Sequence, residues 1–124
     1  MKPTLTQVQT WYDEFNELVF KGELPRVPII FNNTRSQLGQ FCCRDCRIIG
    51  IKISLYWDRN EEQYRNTLLH EMYHLFCYWH GWIRDRHGKN WKAIAAYATR
   101  KTGLVIQRCT DTTGWVPMET DGQN

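Results

Sequence analysis

His70 and His74 stand four residues apart, and Glu71 directly follows the first of them. Metal-dependent hydrolases hold an ion through this H-E-x-x-H spacing. On an α-helix, residues i and i+4 lie about 40° apart around the axis and one turn along it. Both imidazoles can therefore reach one ion from one helix face. Glu71 falls about 60° beyond His74 on the same side. There it misses the ion but can take a proton from a water beside it, the task of a general base in hydrolysis. The competing reading, a chance pair of helix histidines, demands no such carboxylate.

A catalytic zinc usually takes three protein ligands and keeps a fourth position open. All four histidines lie between residues 70 and 87, which leaves His80 and His87 as candidates for the third. His80 has the spacing of proteins that break the helix at a glycine three residues past the second histidine. Here that position is Cys77, among residues that continue a helix. In an unbroken helix His80 points about 120° away from His74 and lies about 9 Å along the axis, too far to share an ion. His87 comes after Gly81, where the chain is free to return. The expected site is one catalytic Zn2+ held by His70, His74 and His87, with Glu71 as the catalytic residue.

Residues 58–80 must supply the helix. Asp58 and Glu61 read as a capping pair, and Glu61 and Glu62 place negative charge at the positive end of the dipole. Tyr64, Leu68, Met72, Leu75, Phe76 and Trp79 recur every three or four residues as a core-facing stripe. Gly81 reads as the stop. An earlier helix starts at a Thr4-to-Gln7 capping box, carries Leu5, Val8, Tyr12, Phe15, Leu18 and Val19 inward, and closes at Gly22. Strands are expected over 27–32, 39–44 and 49–55, the last from the alternation of Ile49, Ile51, Ile53 and Leu55. After a polar connection over 82–86, a third helix opens at His87-Gly88 and ends at Gly103, followed by a short strand over 104–107. The expected fold class is α+β: three helices and a small, about three-stranded sheet packed on the metal-binding helix. One metallopeptidase domain over 1–109 and a partly flexible tail over 110–124, whose Trp115 and Val116 can dock on the domain, complete the reading.

The 124 residues fit one domain with a core of its own. A net charge of +3 selects no class of partner. No apolar run approaches the roughly 20 residues that span a bilayer, and no leader precedes the first helix. Five cysteines, an odd number, favour free thiols and a cytoplasmic setting. Cys43 and Cys46, with Cys42 beside them, lack the second half of a zinc knuckle, so a tight hairpin with small buried thiols is expected instead.

Leu68-Leu69-His70-Glu71-Met72-x-His74, followed by His87-Gly88-Lys89-Asn90-Trp91, resembles the SprT-like family, which includes bacterial SprT proteins and the Spartan proteases. The likeness reaches back through Phe20-Lys21-Gly22-Glu23-Leu24-Pro25 and covers roughly residues 5–103. It implies a minimal zincin-like fold, zinc on His70, His74 and His87, and Glu71 as acid/base. Spartan-type relatives cleave proteins crosslinked to DNA. The cysteine-rich zinc ribbon of many relatives has no counterpart here, nor does the loop of Cys42, Cys43 and Cys46 match the family.

Two functions follow. The first is a monomeric zinc metallopeptidase that acts on protein or peptide, including DNA-associated or DNA-crosslinked proteins. Arg84 and Arg86 or a tyrosine would add to oxyanion stabilisation. The second is a DNA-associated binding module in which zinc is mainly structural. Its support is a basic stretch, Arg84, Arg86, Lys89, Lys92, Arg100 and Lys101, interleaved with Trp82 and Trp91, a composition that tracks single-stranded DNA. An ordinary solvated helix face explains the same stretch. Glu71 favours catalysis, because a structural zinc has no use for it.

Overall fold

The computed structural model of the chain describes residues 1–82 and 87–119. Helix α1 (Leu5–Phe20) starts at a Thr4 capping box with Gln7. It ends through Lys21 and Gly22, both left-handed, with the Gly22 amide on Asn16 O at 2.8 Å. Its buried face is Val8, Trp11, Tyr12, Phe15, Val19 and Phe20, whereas Leu5 and Leu18 are exposed. The packing face thus lies one residue round from the expected stripe, since Trp11 and Phe20 offer more apolar area than either leucine. The Asn16 side chain donates to Leu24 O and accepts from Leu24 N, which pins the turn after α1 to the helix.

Strands β1 (Ile29–Asn32), β2 (Gly39–Arg44) and β3 (Arg47–Ser54) form a mixed sheet in the order β1-β3-β2. The pair β1–β3 is parallel and the pair β2–β3 antiparallel, so β2 is an edge. A two-residue turn with positive φ at Asp45 and Cys46 joins β2 to β3, as tight hairpins require. A register shift between Cys42 and Cys43 pairs Cys42 with Gly50 and Cys43 with Ile48, leaving Ile49 as the extra residue. The expected alternation fails at that bulge: Ile48 packs on the core and Ile49 is exposed. Gly50 is required, because a Cβ there would meet Pro28 O at 2.5 Å. The hairpin thiols Cys43 and Cys46 are exposed, contrary to the buried thiols expected, because the turn projects past the sheet.

Helix α2 (Glu61–Trp79) is capped by Asn60, whose side chain and that of Gln63 form the capping box. Asp58, expected to cap with Glu61, lies too early and instead accepts from the N-terminal ammonium of Met1 at 2.8 Å. Cys77 lies within the continuous helix. A left-handed Gly81 ends it, with Trp82 N on Cys77 O at 2.7 Å and Gly81 N on Tyr78 O at 3.1 Å, a Schellman closure. Tyr64, Leu68, Met72 and Leu75 are buried as expected, whereas Trp79 is exposed. Helix α3 (Lys89–Thr102) ends at a left-handed Gly103. Residues 104–107 form no strand: Leu104 is buried in the core and the chain runs on extended past α2.

The core joins α1 and α2 to the inner face of the sheet through Phe15, Ile51, Ile53, Leu68, Leu69 and Met72. Arg59 is 2% exposed and has no carboxylate partner among the described residues. Its guanidinium donates to Thr67 Oγ1 at 2.8 Å, Leu38 O at 3.2 Å and Ser54 O at 2.5 Å, and lies 4.3 Å from the Tyr64 ring centroid. One side chain thereby ties the start of β2, the end of β3 and the first half of α2 together. Near the C-terminus, Trp57 bridges to Pro117, with Asp58 N on Val116 O at 2.8 Å and Met118 N on Tyr56 O at 2.7 Å. Trp115 meets Trp57 edge-on. No described helix is long and apolar enough to cross a membrane.

Candidate metal centre

Continuity of α2 through residue 79 places His70 and His74 on one face, one turn apart. His87 returns to that face from beyond Gly81 in a left-handed conformation, φ 71°, which is uncommon for a non-glycine residue although histidine is among those that adopt it most. His70 Nε2 is 3.1 Å from His74 Nε2 and 2.9 Å from His87 Nε2. Ligand atoms of all three lie within 4.8 Å of one another. A tetrahedral ion with nitrogens at 2.0–2.1 Å needs them roughly 3.3 Å apart, so His70 needs only a few tenths of an ångström of spreading from each of the other two. The donor set fits a divalent ion of borderline softness.

His70 Nδ1 lies 3.0 Å from the carbonyl of Gln107. With Nδ1 donating there, the lone pair of Nε2 faces the other imidazoles, the usual arrangement around a metal-bound histidine. Trp91, 7% exposed, packs its ring 4.9 Å from His70, 4.8 Å from His87 and 4.9 Å from Tyr73. It is the wedge between α2 and α3 that fixes the imidazole orientations. Burial holds the His70 and His74 imidazoles down to about 4, with the neighbouring histidines adding to the effect. Both are therefore neutral, as ligands must be, well below the ordinary histidine range. From pH 8 down to about pH 5 zinc affinity is accordingly expected to show at most the one-proton slope of the third ligand, and to fall more steeply only as these two protonate. Competition titrations with a chromogenic chelator across that range check this. A loss steeper than one proton per zinc between pH 7 and 6 would contradict it.

Glu71 is 9% exposed. Its Oε1 accepts from the amide of Phe41 at 2.9 Å. Burial pushes its carboxyl up to about 7, against the pull of that hydrogen bond. The bond follows from sheet register. Ser54 N donates to Leu38 O, so residues 40 and 42 turn towards β3, while Gly39 and Phe41 turn their amides and carbonyls outward. A cleft of about 540 Å3 opens along this edge, lined by Leu38, Gly39, Asn66, Thr67, His70, Glu71 and, opposite, Gln107 and Arg108.

His80 is not in this cluster. Its Nε2 lies 2.9 Å from Glu23 Oε1 and its ring stacks on Trp82, clipping the end of α2 to the turn after α1. Of the residues considered for oxyanion stabilisation, Arg84 and Arg86 lie outside the described residues. Tyr73 is 2% exposed and packs on His74 and His87. Three contributors escaped the sequence: the Gln107 carbonyl, the Phe41 amide and the close approach at Gly39. The first two are main-chain groups, which no residue type announces.

Two imidazoles of an H-E-x-x-H helix and a third from His87, with the glutamate buried beside them, form a group that could hold a metal ion in the spacing metal-dependent hydrolases use. The model of the SprT-like family matches residues 8–110, most of the 124-residue chain. The chain belongs to the SprT-like family, whose domains are of the zinc-metalloprotease type. Searches of curated proteins and of solved structures return no match.

Proposed function

We propose that this chain is a zinc-dependent metallopeptidase in which His70, His74 and His87 hold one catalytic ion and Glu71 is the general base. The observation that supports this best is the placement of Glu71. It is buried next to His70, faces the cleft, and is bonded to the outward edge of a strand. Zinc bound to the three imidazoles would polarise the scissile carbonyl and acidify the attacking water. Glu71 takes the proton from that water and passes it to the leaving amine nitrogen. The outward amide and carbonyl of Gly39 and the outward carbonyl of Phe41 receive a substrate as an added strand, through main-chain contacts that tolerate many side chains, while the Phe41 amide stays on Glu71. The imidazoles are held in register by Trp91 and by the Gln107 carbonyl.

Association with single-stranded DNA, and thereby with DNA-associated or DNA-crosslinked proteins, belongs to the same proposal. Lys89 and Lys92 are exposed at the start of α3, beside His87. Arg84 and Arg86 add two cations to the same stretch of sequence. Trp91 is spent on the metal site and cannot stack on bases; Trp82, 40% exposed, can. The alternative, a DNA-associated binding module with structural zinc, gives Glu71 its bond to Phe41 but no reason to stand beside the imidazoles and face the cleft.

Metal analysis paired with a self-cleavage assay, with and without single-stranded DNA, tests both parts. Cleavage is expected to stop on chelation and return with zinc. Stimulation by DNA is expected in the parent and not in an Arg84→Glu, Arg86→Glu, Lys89→Glu variant, whose DNA affinity should also depend less steeply on salt. Cleavage that survives complete zinc removal refutes the peptidase reading. A variant with parental DNA affinity and salt slope refutes the DNA contact.

A further inference from the structure

The edge strand approaches α2 more closely than strands carrying a side chain could. A Cβ built on Gly39 would lie 2.6 Å from Thr67 Cγ2 and 3.2 Å from both Glu71 Cγ and Lys52 O. The first separation is one that real Cβ atoms essentially never show. The second and third leave little room for the strand to shift sideways, since Lys52 belongs to β3 and Glu71 to the helix. Two residues on, the Phe41 amide reaches Glu71 Oε1 at 2.9 Å. Backbone conformation is not the reason for the glycine, because Gly39 is absent from the positive-φ residues of the chain. Space is the reason.

We infer that Gly39 is a positioning residue for hydrolysis: by carrying no Cβ it lets β2 sit against α2, so that Phe41 bonds to Glu71 and a chain docked on β2 lies level with the metal site. This rests on the metallopeptidase reading and deepens it. The physical consequence is specific. A substrate paired to β2 rides on that strand, whereas Glu71, His70 and His74 ride on α2. Pushing β2 off the helix moves the scissile bond relative to the base and the ion while leaving the main-chain docking contacts on the strand intact. Misplacement by about 1 Å is enough to cost up to about a hundredfold in rate. Binding of the substrate suffers far less, because its partners move with it.

Thr67 makes the idea separable from general damage. Its Cγ2 is the atom a residue-39 Cβ would strike, and its Oγ1 accepts from Arg59 at 2.8 Å. Thr67→Ser deletes the first and keeps the second. The experiment compares the zinc-loaded parent, Gly39→Ala, Thr67→Ser and the double variant on an unfolded protein substrate. Rates are taken per bound zinc and well below each melting midpoint. Gly39→Ala is expected to lower kcat about tenfold or more, with KM within about threefold of the parent. Thr67→Ser alone is expected to stay near the parent. The double variant should recover most of the loss and remain about threefold down, because Glu71 Cγ and Lys52 O still crowd the new methyl.

A second readout needs no activity: hydrogen exchange of the Phe41 amide, followed by NMR. It should quicken about tenfold or more in Gly39→Ala and slow again in the double variant. Parental kcat in Gly39→Ala, or a double variant no better than Gly39→Ala, overturns the inference. Should Gly39→Ala fail to fold, the double variant carries the test, and a rise in KM larger than the fall in kcat in it overturns the inference. A parent that binds zinc and hydrolyses nothing refutes the peptidase reading instead. The amide exchange still decides whether Gly39 sets the approach of β2.

Discussion

Glu71→Gln is expected to keep fold and zinc while losing hydrolysis by a factor of about 10²–10⁴, the usual worth of a positioned general base. The amide oxygen of glutamine can still accept from the Phe41 amide, so the β2 edge and α2 should stay together. What disappears is a group able to accept the water's proton. The ligands are untouched, so zinc content should match the parent. Stability supplies an independent check. Burial raises the Glu71 carboxyl from 4.5 to about 7, so between those values the unfolded state holds fewer protons than the folded one. Stability of the metal-free parent from this group therefore falls as pH rises through that window. Glutamine is neutral throughout. At pH 8 the metal-free variant should accordingly melt no lower than the metal-free parent. Metal-loaded Glu71→Gln that hydrolyses at more than about a tenth of the parental rate would remove Glu71 from the role of base.

His87→Ala is expected to weaken zinc binding well beyond the roughly 10–100-fold that loss of an outer-shell partner costs, and to abolish activity with it. His80→Ala should keep both metal and activity. The contrast is geometric. His87 Nε2 is 2.9 Å from His70 Nε2, whereas His80 is carried round the helix to Glu23 and stacks on Trp82. Loss of the His80–Glu23 pair, whose side chains are 32% and 41% exposed, should cost about 1 kcal/mol or less after solvent screening. Zinc retained after dialysis, chelator competition and the melting midpoint, measured on both variants, decide the assignment. If His80→Ala loses the ion and His87→Ala keeps it, the ligand set is wrong.

The features legible in the sequence share one property: each repeats at the period of a single element. The spacing of His70 and His74, the buried Tyr64, Leu68, Met72 and Leu75, and the glycine stops at Gly81 and Gly103 all follow from 3.6 residues per turn and from left-handed caps. The alternation of Ile51 and Ile53 follows from the two-residue period of a strand. Readings missed where a choice between neighbours depended on the partner surface. Asn60 caps α2 where Asp58 was expected, because the helix starts at Glu61, and Asp58 pairs with the Met1 ammonium instead. Ile48 replaces Ile49 in the core because a bulge in the pairing turns the strand over. Arg59, of a residue type almost always exposed, is buried among carbonyls that only the assembled fold brings to it.

By itself the sequence determined which residue types could hold an ion, that one helix face carries two of them with a glutamate alongside, and that the chain can turn back only after Gly81. Helical geometry and local capping are functions of neighbouring residues, so the chain's own order carries them. Tertiary structure alone decided what surrounds that face. It turned the Phe41 amide outward to Glu71, laid the Gln107 carbonyl on His70, wedged Trp91 between the helices and made Gly39 the point of closest approach. These contacts join segments 30 or more residues apart in the first two cases, and they use main-chain groups that every residue possesses. Their partners are chosen by strand register and helix packing, which no residue type encodes.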